Sequence, residues 1–218
     1  MGPSYPYLPK AERLIADTVR SSPRLPGILA EDLRVVVDRD PSIHSRAEAL
    51  LHPGLAAVWL HRIAHRWHRA GHGVLARLLM TISRALTGVE IHPGARLGRR
   101  VFIDHGAAVV IGETAVVGDD VTLFHQVTLG AVGWWRDNRL EPGSRRHPVI
   151  GAGTVLGAGS SVLGAVTVGE QSFIGAHALV LRDVPAHGRA SAVPAVPLAP
   201  PVALPIDLLR HTASAGSW

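Results

Sequence analysis

The chain has 218 residues, of which 47% are apolar, 5% aromatic and 18% charged, with 23 glycines, a formal net charge of +5 and no cysteine. This composition predicts a globular protein whose core is built from small aliphatic side chains, and it excludes disulfides and thiolate metal sites. The basic residues are nearly all arginine, with Lys10 the one lysine, and they are scattered without interleaved aromatics, which points to a solvated surface and away from nucleic-acid binding.

Residues 1–8 read as a loose arm. The N-terminus lacks the apolar region of a signal peptide and no uncharged run is long enough to span a membrane, so a cytoplasmic protein is expected. A helix is expected from Pro9 to Ser21, with a break at Pro23 and Pro26 and a second at Arg39-Asp40-Pro41, because proline disfavours a helical residue before it. Pro53 opens a further helix, its missing N–H being unneeded in the first turn. Leu51, Leu55, Val58, Trp59, Ile63 and Trp67 give that helix an apolar stripe, which ends at Gly71 and Gly73. Leu75, Leu78, Leu79, Ile82 and Leu86 form a second stripe, and both are assigned to the core. The neighbouring His61, His65 and His68 are expected on the surface, since no carboxylate accompanies them at metal-ligand spacing.

After Gly88 the period changes to six, as in IHPGAR, LGRRVF and IDHGAA. The leading residues are Ile91, Leu97, Ile103, Val109, Ala115, Val121 and Val127, and after a break the series resumes with Ile150, Leu156, Val162, Val168, Ile174 and Val180. A fixed period of small aliphatic residues beside glycines predicts a parallel β-helix with three short strands per coil, about 18 residues long, each leader stacking on the leader one coil away. Such a slim prism buries its flat faces by trimerising. The break, residues 131–147, is read as a loop extruded from the prism, and the proline-rich residues 185–218 as an arm that cannot continue the coils. The domains expected are thus a helical unit (1–88), a β-helix (89–184) and the C-terminal arm, an α+β organisation.

Three pieces of sequence resemble bacterial serine O-acetyltransferases: RDP at 39–41, GVEIHPGARLGRRVFIDHG at 88–106 with VVIGETAVVGDDVTL after it, and RRHP at 145–148. The resemblance implies a left-handed β-helix, a homotrimer or dimer of trimers, acetyl-CoA as co-substrate and no metal. It implies transfer of acetyl to the hydroxyl of L-serine, with another hydroxylated amino acid such as homoserine as the alternative acceptor. Acyl transfer to an alcohol needs a general base of near-neutral pKa, for which imidazole is suited, and a partner that orients it. Direct attack on a bound thioester needs no enzyme nucleophile, consistent with the absent cysteine.

By the same resemblance, His105 is the base and Glu90 its acidic partner, fifteen residues earlier. Asp40 and Asp104 match the residues that bind the substrate ammonium, and Arg146 and His147 the pair that holds its carboxylate, a role that suits the planar guanidinium. His92 matches a family position and has either a binding or a local structural role. Gly130, Gly157 and Ala158 are candidates for the acetyl-CoA groove by position. Two segments depart from the family pattern: VTLGAVGWW opens a longer loop, and the chain ends in Ser217-Trp218 where the family often has isoleucine, so a sulfhydrylase complex is not expected. Two other readings stand beside this one. His92, His105, His125 and His147 suggest a zinc carbonic anhydrase, and an inactive β-helix scaffold would need none of these residues.

Overall fold

A computed structural model describes residues 25–141 and 144–193. The helix expected at Pro9–Ser21 and the end of the C-terminal arm lie outside the described residues. Four helices come first: α1 (Leu25–Arg39), the short α2 (Arg46–Ala49), α3 (Pro53–Arg69) and α4 (Gly73–Thr87). The expected break at residues 39–41 is found, but α1 begins before Pro26. Proline fits there because the first turn of a helix leaves its N–H groups unbonded in any case. α4 ends on Gly88, which adopts a left-handed cap conformation with φ of 71°.

Fourteen short strands follow: β1 (Glu90–Ile91), β2 (Arg96–Leu97), β3 (Phe102–Ile103), β4 (Val110–Ile111), β5 (Val116–Val117), β6 (Thr122–Leu123), β7 (Thr128–Gly130), β8 (Val149–Ile150), β9 (Val155–Leu156), β10 (Ser161–Leu163), β11 (Thr167–Val168), β12 (Phe173–Ile174), β13 (Leu179–Val180) and β14 (Arg189–Ala190). They form three parallel sheets, the faces of a left-handed triangular prism. Face A is β1-β4-β7-β10-β13, face B is β2-β5-β8-β11, and face C is β3-β6-β9-β12-β14. The chain runs A to B to C and turns back to A, so the corners stack into three edges, here called AB, BC and CA.

The expected coil length holds for the later coils and fails for the first. Ile111 pairs with Leu129 and Ile150 with Val168, each 18 residues on, but Ile91 pairs with Ile111, 20 residues on. The two additional residues lie in the corner 104–109. Each hexad in fact sends two residues inward, one at the end of the corner and one in the strand, as with Val121 and Leu123 or Val127 and Leu129, all fully buried. Counting in sixes therefore slips by two between Ile103 and Val109 without meeting a polar residue. Val109, Ala115, Val121 and Val127 belong to the corner layer, and Ile111, Val117, Leu123 and Leu129 stack on Ile91, Leu97 and Ile103. Each buried aliphatic side chain of this column contributes about 1.5–3 kcal/mol.

The coils also continue beyond residue 184. Val184 bridges to Val168 and β14 pairs with β12, so the first residues assigned to the arm complete a last coil.

The helices seat on the start of the prism. Phe102 projects from face C into a small core with Val35, Val36, Ala49 and Leu55. Arg62 is the buried tie: its Nε and Nη2 donate to the Asp32 carboxylate at 2.6 and 2.8 Å, and Nη2 also donates to the Gly98 carbonyl at 3.0 Å. At the BC edge Arg39 donates to Asp120, and Arg99 pairs with Glu31. Two helix expectations are corrected. The α4 stripe is not core in this chain, since Leu75, Leu78, Ile82 and Leu86 are 44–74% exposed. Conversely, His61 is buried, and the half-buried His65 donates from Nδ1 to the Pro93 carbonyl at 2.8 Å, because α3 lies directly on the first coil.

Two outcomes follow. Arg62→Ala leaves Asp32 buried and unpaired and should cost about 3–5 kcal/mol of stability, read as a lowered denaturation midpoint. Burial also holds His52, His61, His65 and His147 below the usual histidine range and takes His92 down to about 4. These rings stay neutral in the fold while the unfolded chain takes up protons below about pH 6.5. Stability should therefore be flat above neutral pH and fall between about pH 6.5 and 5, before the carboxylates titrate. His92→Asn, which keeps an acceptor at that turn, should flatten the slope; a melting temperature constant from pH 7 to 5 would contradict it.

Candidate active site

Corners of this prism hold four residues, as in Phe124–Val127 between β6 and β7. Two corners depart from that rule. One is the six-residue corner 104–109 on the CA edge, and the other is the loop between β7 and β8. The first places His105, Gly106 and Ala108 at φ of 59°, 68° and 57°. A left-handed conformation costs a residue with a side chain about 1–2 kcal/mol, and here it turns His105 outward, 72% exposed. A Cβ on Gly106 would lie 2.8 Å from Val89, so the corner closes down on the first coil at that point.

Several groups converge beside this corner. The His105 Nε2 lies 3.7 Å from Asp104 Oδ1, and the ring of His125, from the corner one coil on, stands edge-on at 5.9 Å. Asp40 arrives from the turn after α1. Its Oδ1 accepts from the Ser42 amide at 2.9 Å and the Ser42 hydroxyl at 2.7 Å, and these bonds hold its carboxyl below the usual range. Asp40, Asp104 and His52 each bring a polar atom within 4.8 Å of the others. The proposed ammonium pair is thus brought together by the fold from two distant segments. Glu90 is not brought to His105: its carboxylate accepts from Arg84 Nη1 at 2.8 Å, and the His105 ring faces Asp104 instead. β1 aims Glu90 outward from face A, beside the C-terminal turn of α4.

The second departure returns to the prism on the AB edge. Thr114 Oγ1 accepts from the backbone amides of Arg146 and His147, both at 3.0 Å, and contacts His147 Nδ1 at 2.9 Å. The Arg146 guanidinium pairs with Glu113. His147 is buried, and a Cβ on Gly112 would overlap its ring, which gives that glycine its place. The IGET segment therefore docks the end of the loop. Glu113 and Thr114 were not singled out from the sequence, although the motif that contains them was the available signal. A shallow cavity of about 320 Å³ lined by His68, Arg96, Glu113, Thr114 and Arg145 flanks this corner. His92 lies on the same edge and has the local role: its Nδ1 accepts from the Gly94 amide at 3.0 Å.

The remaining candidates divide between edges. Gly157 and Ala158 sit on the CA edge and Gly130 at the opposite end of face A. The Gly157 amide is spent on the Ile174 carbonyl at 2.7 Å, and a Cβ there would stand 2.6 Å from the Ala176 nitrogen. Close approach of coils thus accounts for this glycine, and its amide is not free for a cofactor. The four histidines of the zinc reading also separate, His105 and His125 on the CA edge and His92 and His147 on the AB edge, so they do not converge within one chain. In the loop, the short helix α5 (Trp134–Asp137) holds Trp134 and Trp135 edge-to-face at 6.2 Å, 73% and 55% exposed.

Residues 147–182 match the family model of the bacterial transferase hexapeptide (six repeats). The chain is 50% identical over 159 residues to a serine acetyltransferase of Bacillus subtilis, covering 72% of this chain and 70% of that one. It spans from 62% of one curated relative's length to 88% of another's. The crystal structure of Neisseria gonorrhoeae serine acetyltransferase in complex with serine matches with a TM-score of 0.71 at 35% identity, over 85% of this chain and 73% of that one. That of the Brucella abortus enzyme in complex with coenzyme A matches with a TM-score of 0.72 at 36% identity, over 84% and 71%. With the β-helix, the widened histidine corner and the docked loop all in place, the chain belongs to the serine acetyltransferase family.

Proposed function

We propose that this chain transfers acetyl from acetyl-CoA to the hydroxyl of L-serine, giving O-acetyl-L-serine and CoA. The observation that carries the reading is the CA edge, where an exposed imidazole and two carboxylates stand together on a corner built to present them. The relatives solved with serine and with coenzyme A support both substrates.

In the reaction, His105 takes the proton of the serine hydroxyl as its oxygen attacks the thioester carbonyl. The tetrahedral intermediate then collapses, the C–S bond breaks, and the imidazolium returns the proton to the CoA thiolate. Asp104 steadies the imidazolium and, with Asp40, receives the ammonium. Arg146 and the buried His147 hold the carboxylate, for which Arg146 turns from Glu113 toward the substrate. Glu90 enters the dyad with His105 by giving up its bond to Arg84. This chemistry uses no metal, and an acetyl-CoA co-substrate fits a cytoplasmic setting.

The ammonium side lies on the CA edge and the carboxylate side on the AB edge, one whole face of the prism apart. A single serine molecule cannot bridge that face. The separation supports a cyclic homotrimer in which the CA edge of one copy meets the AB edge of the next, with acetyl-CoA in the groove between prisms near Gly130 and Ala158. Two such trimers back to back would make the hexameric form.

A CoA-release assay tests the acceptor. L-serine should be acetylated in preference to homoserine and threonine, and simple sugars should be inert; acetylation of a sugar alone would remove the amino-acid clamp. His105→Ala should lower kcat by about 10²–10⁴-fold with a normally folded protein, the usual worth of a general base. Unchanged turnover would overturn the mechanism.

A further inference from the structure

Sequence reading passed over His52, which precedes α3 and belongs to no motif singled out there. In the fold it is 93% shielded from solvent, with 7% of its surface exposed. Its ring stacks on Phe102 at 5.8 Å and 30°. Its Nδ1 accepts from the Leu55 amide at 3.4 Å, capping the first turn of α3. A nitrogen that accepts carries no proton, so a neutral ring holds its proton on Nε2. Burial keeps the ring neutral. Nε2 points at the carboxylates, 3.7 Å from Asp40 Oδ2.

The two carboxylates divide their bonds unevenly. Ser42 takes both of its bonds on Asp40 Oδ1, which leaves Oδ2 facing Asp104 and His52. Two ionised carboxyl groups so close repel each other unless a donor or a cation lies between them. The ammonium is that cation when substrate is bound, and between turnovers the imidazole N–H is the one neutral donor pointed at the pair. Two carboxylates and an imidazole also resemble a metal cradle. The capped Nδ1 argues otherwise, because the ring then meets the carboxylates as a donor and not as a lone pair.

We infer that His52 is a positioning residue of the amino-acid pocket: its Nε2–H steers Asp40 Oδ2 toward Asp104 and so preforms the acceptor pair for the substrate ammonium. The inference rests on the ammonium-binding role proposed for Asp40 and Asp104. It assigns His52 no contact with the reacting atoms, so its effect falls on binding of the amino acid and not on the chemical step.

The test is steady-state kinetics of the full chain with His52→Phe, which keeps the stacking ring and removes the donor, and His52→Gln, whose amide N–H₂ reaches the same place as Nε2. His52→Phe should raise KM for L-serine by about tenfold, change kcat by less than about threefold and leave KM for acetyl-CoA unaltered, and His52→Gln should return KM to within about threefold of the parent. An unchanged serine KM in His52→Phe would overturn the inference, as would equal damage to kcat and both KM values in the two variants. Asp40→Asn separates the premises. If it leaves serine KM unchanged, the ammonium reading itself falls; if it raises KM while His52→Phe does not, only the role of His52 falls. A second readout requires no folded variant. Nitrogen-15 spectra of the parent protein should show a neutral Nε2–H ring for His52 that shifts on adding L-serine and not on adding 3-hydroxypropionate, which lacks the ammonium. A protonated ring, or the Nδ1–H tautomer, would contradict the proposal.

Discussion

The stacking of one coil on the next governs this molecule. Each coil bonds its backbone to the coils on either side and drops two aliphatic residues per hexad into a shared interior, so a corner cannot drift from the edge to which the register assigns it. Extra residues can enter only by being pushed outward at a corner. That happens twice before the final coil, at 104–109 and in the loop before β8, and the two places carry the residues assigned to the chemistry. The repeat acts as a ruler, and the proposed active site is written in its interruptions, which is where a protein can depart from local regularity without loosening its core.

The three edges have different tasks. The BC edge receives the helical unit through Arg39, Arg62 and Arg99. That docking brings the turn after α1 and the start of α3 across face C, and so delivers Asp40 and His52 to the His105 corner on the CA edge. The AB edge takes the end of the loop and fixes Arg146 and His147 on Thr114. The helical unit is therefore part of the amino-acid pocket, and the buried Asp32–Arg62 tie that seats it bears indirectly on substrate binding. The exposed apolar stripe of α4 and the two loop tryptophans add surface that the single chain leaves open.

Much of this was legible in the sequence. The change from helical spacing to a period of six located the β-helix, and the IDHG and RRHP segments pointed to both halves of the clamp. The two-residue slip at His105 was hidden because both positions that flank a corner are apolar: Val109 and Ile111 are equally buried, so a pattern of sixes fits either register. The α4 stripe had the right spacing for a core helix, but periodicity reports an apolar face and not what covers it. His61 looked like a surface residue because sequence does not say that α3 lies on the coil end. His52 was missed for a related reason. Its neighbours Asp40 and Asp104 are 12 and 52 residues away in sequence, and only the docking of helix on prism joins them.

The central claim is that neither half of the site suffices, because base and carboxylate clamp lie on different edges of one prism. Subunit mixing tests it most directly. His105→Ala and Arg146→Ala chains, each inactive alone, are unfolded together in equal amounts and reassembled. In a cyclic trimer each shared site draws its base from one copy and its clamp from the next, so random mixing should restore about one quarter of the parent turnover. Mixed assemblies no more active than the separate variants would contradict the account, and would place the whole site within a single chain.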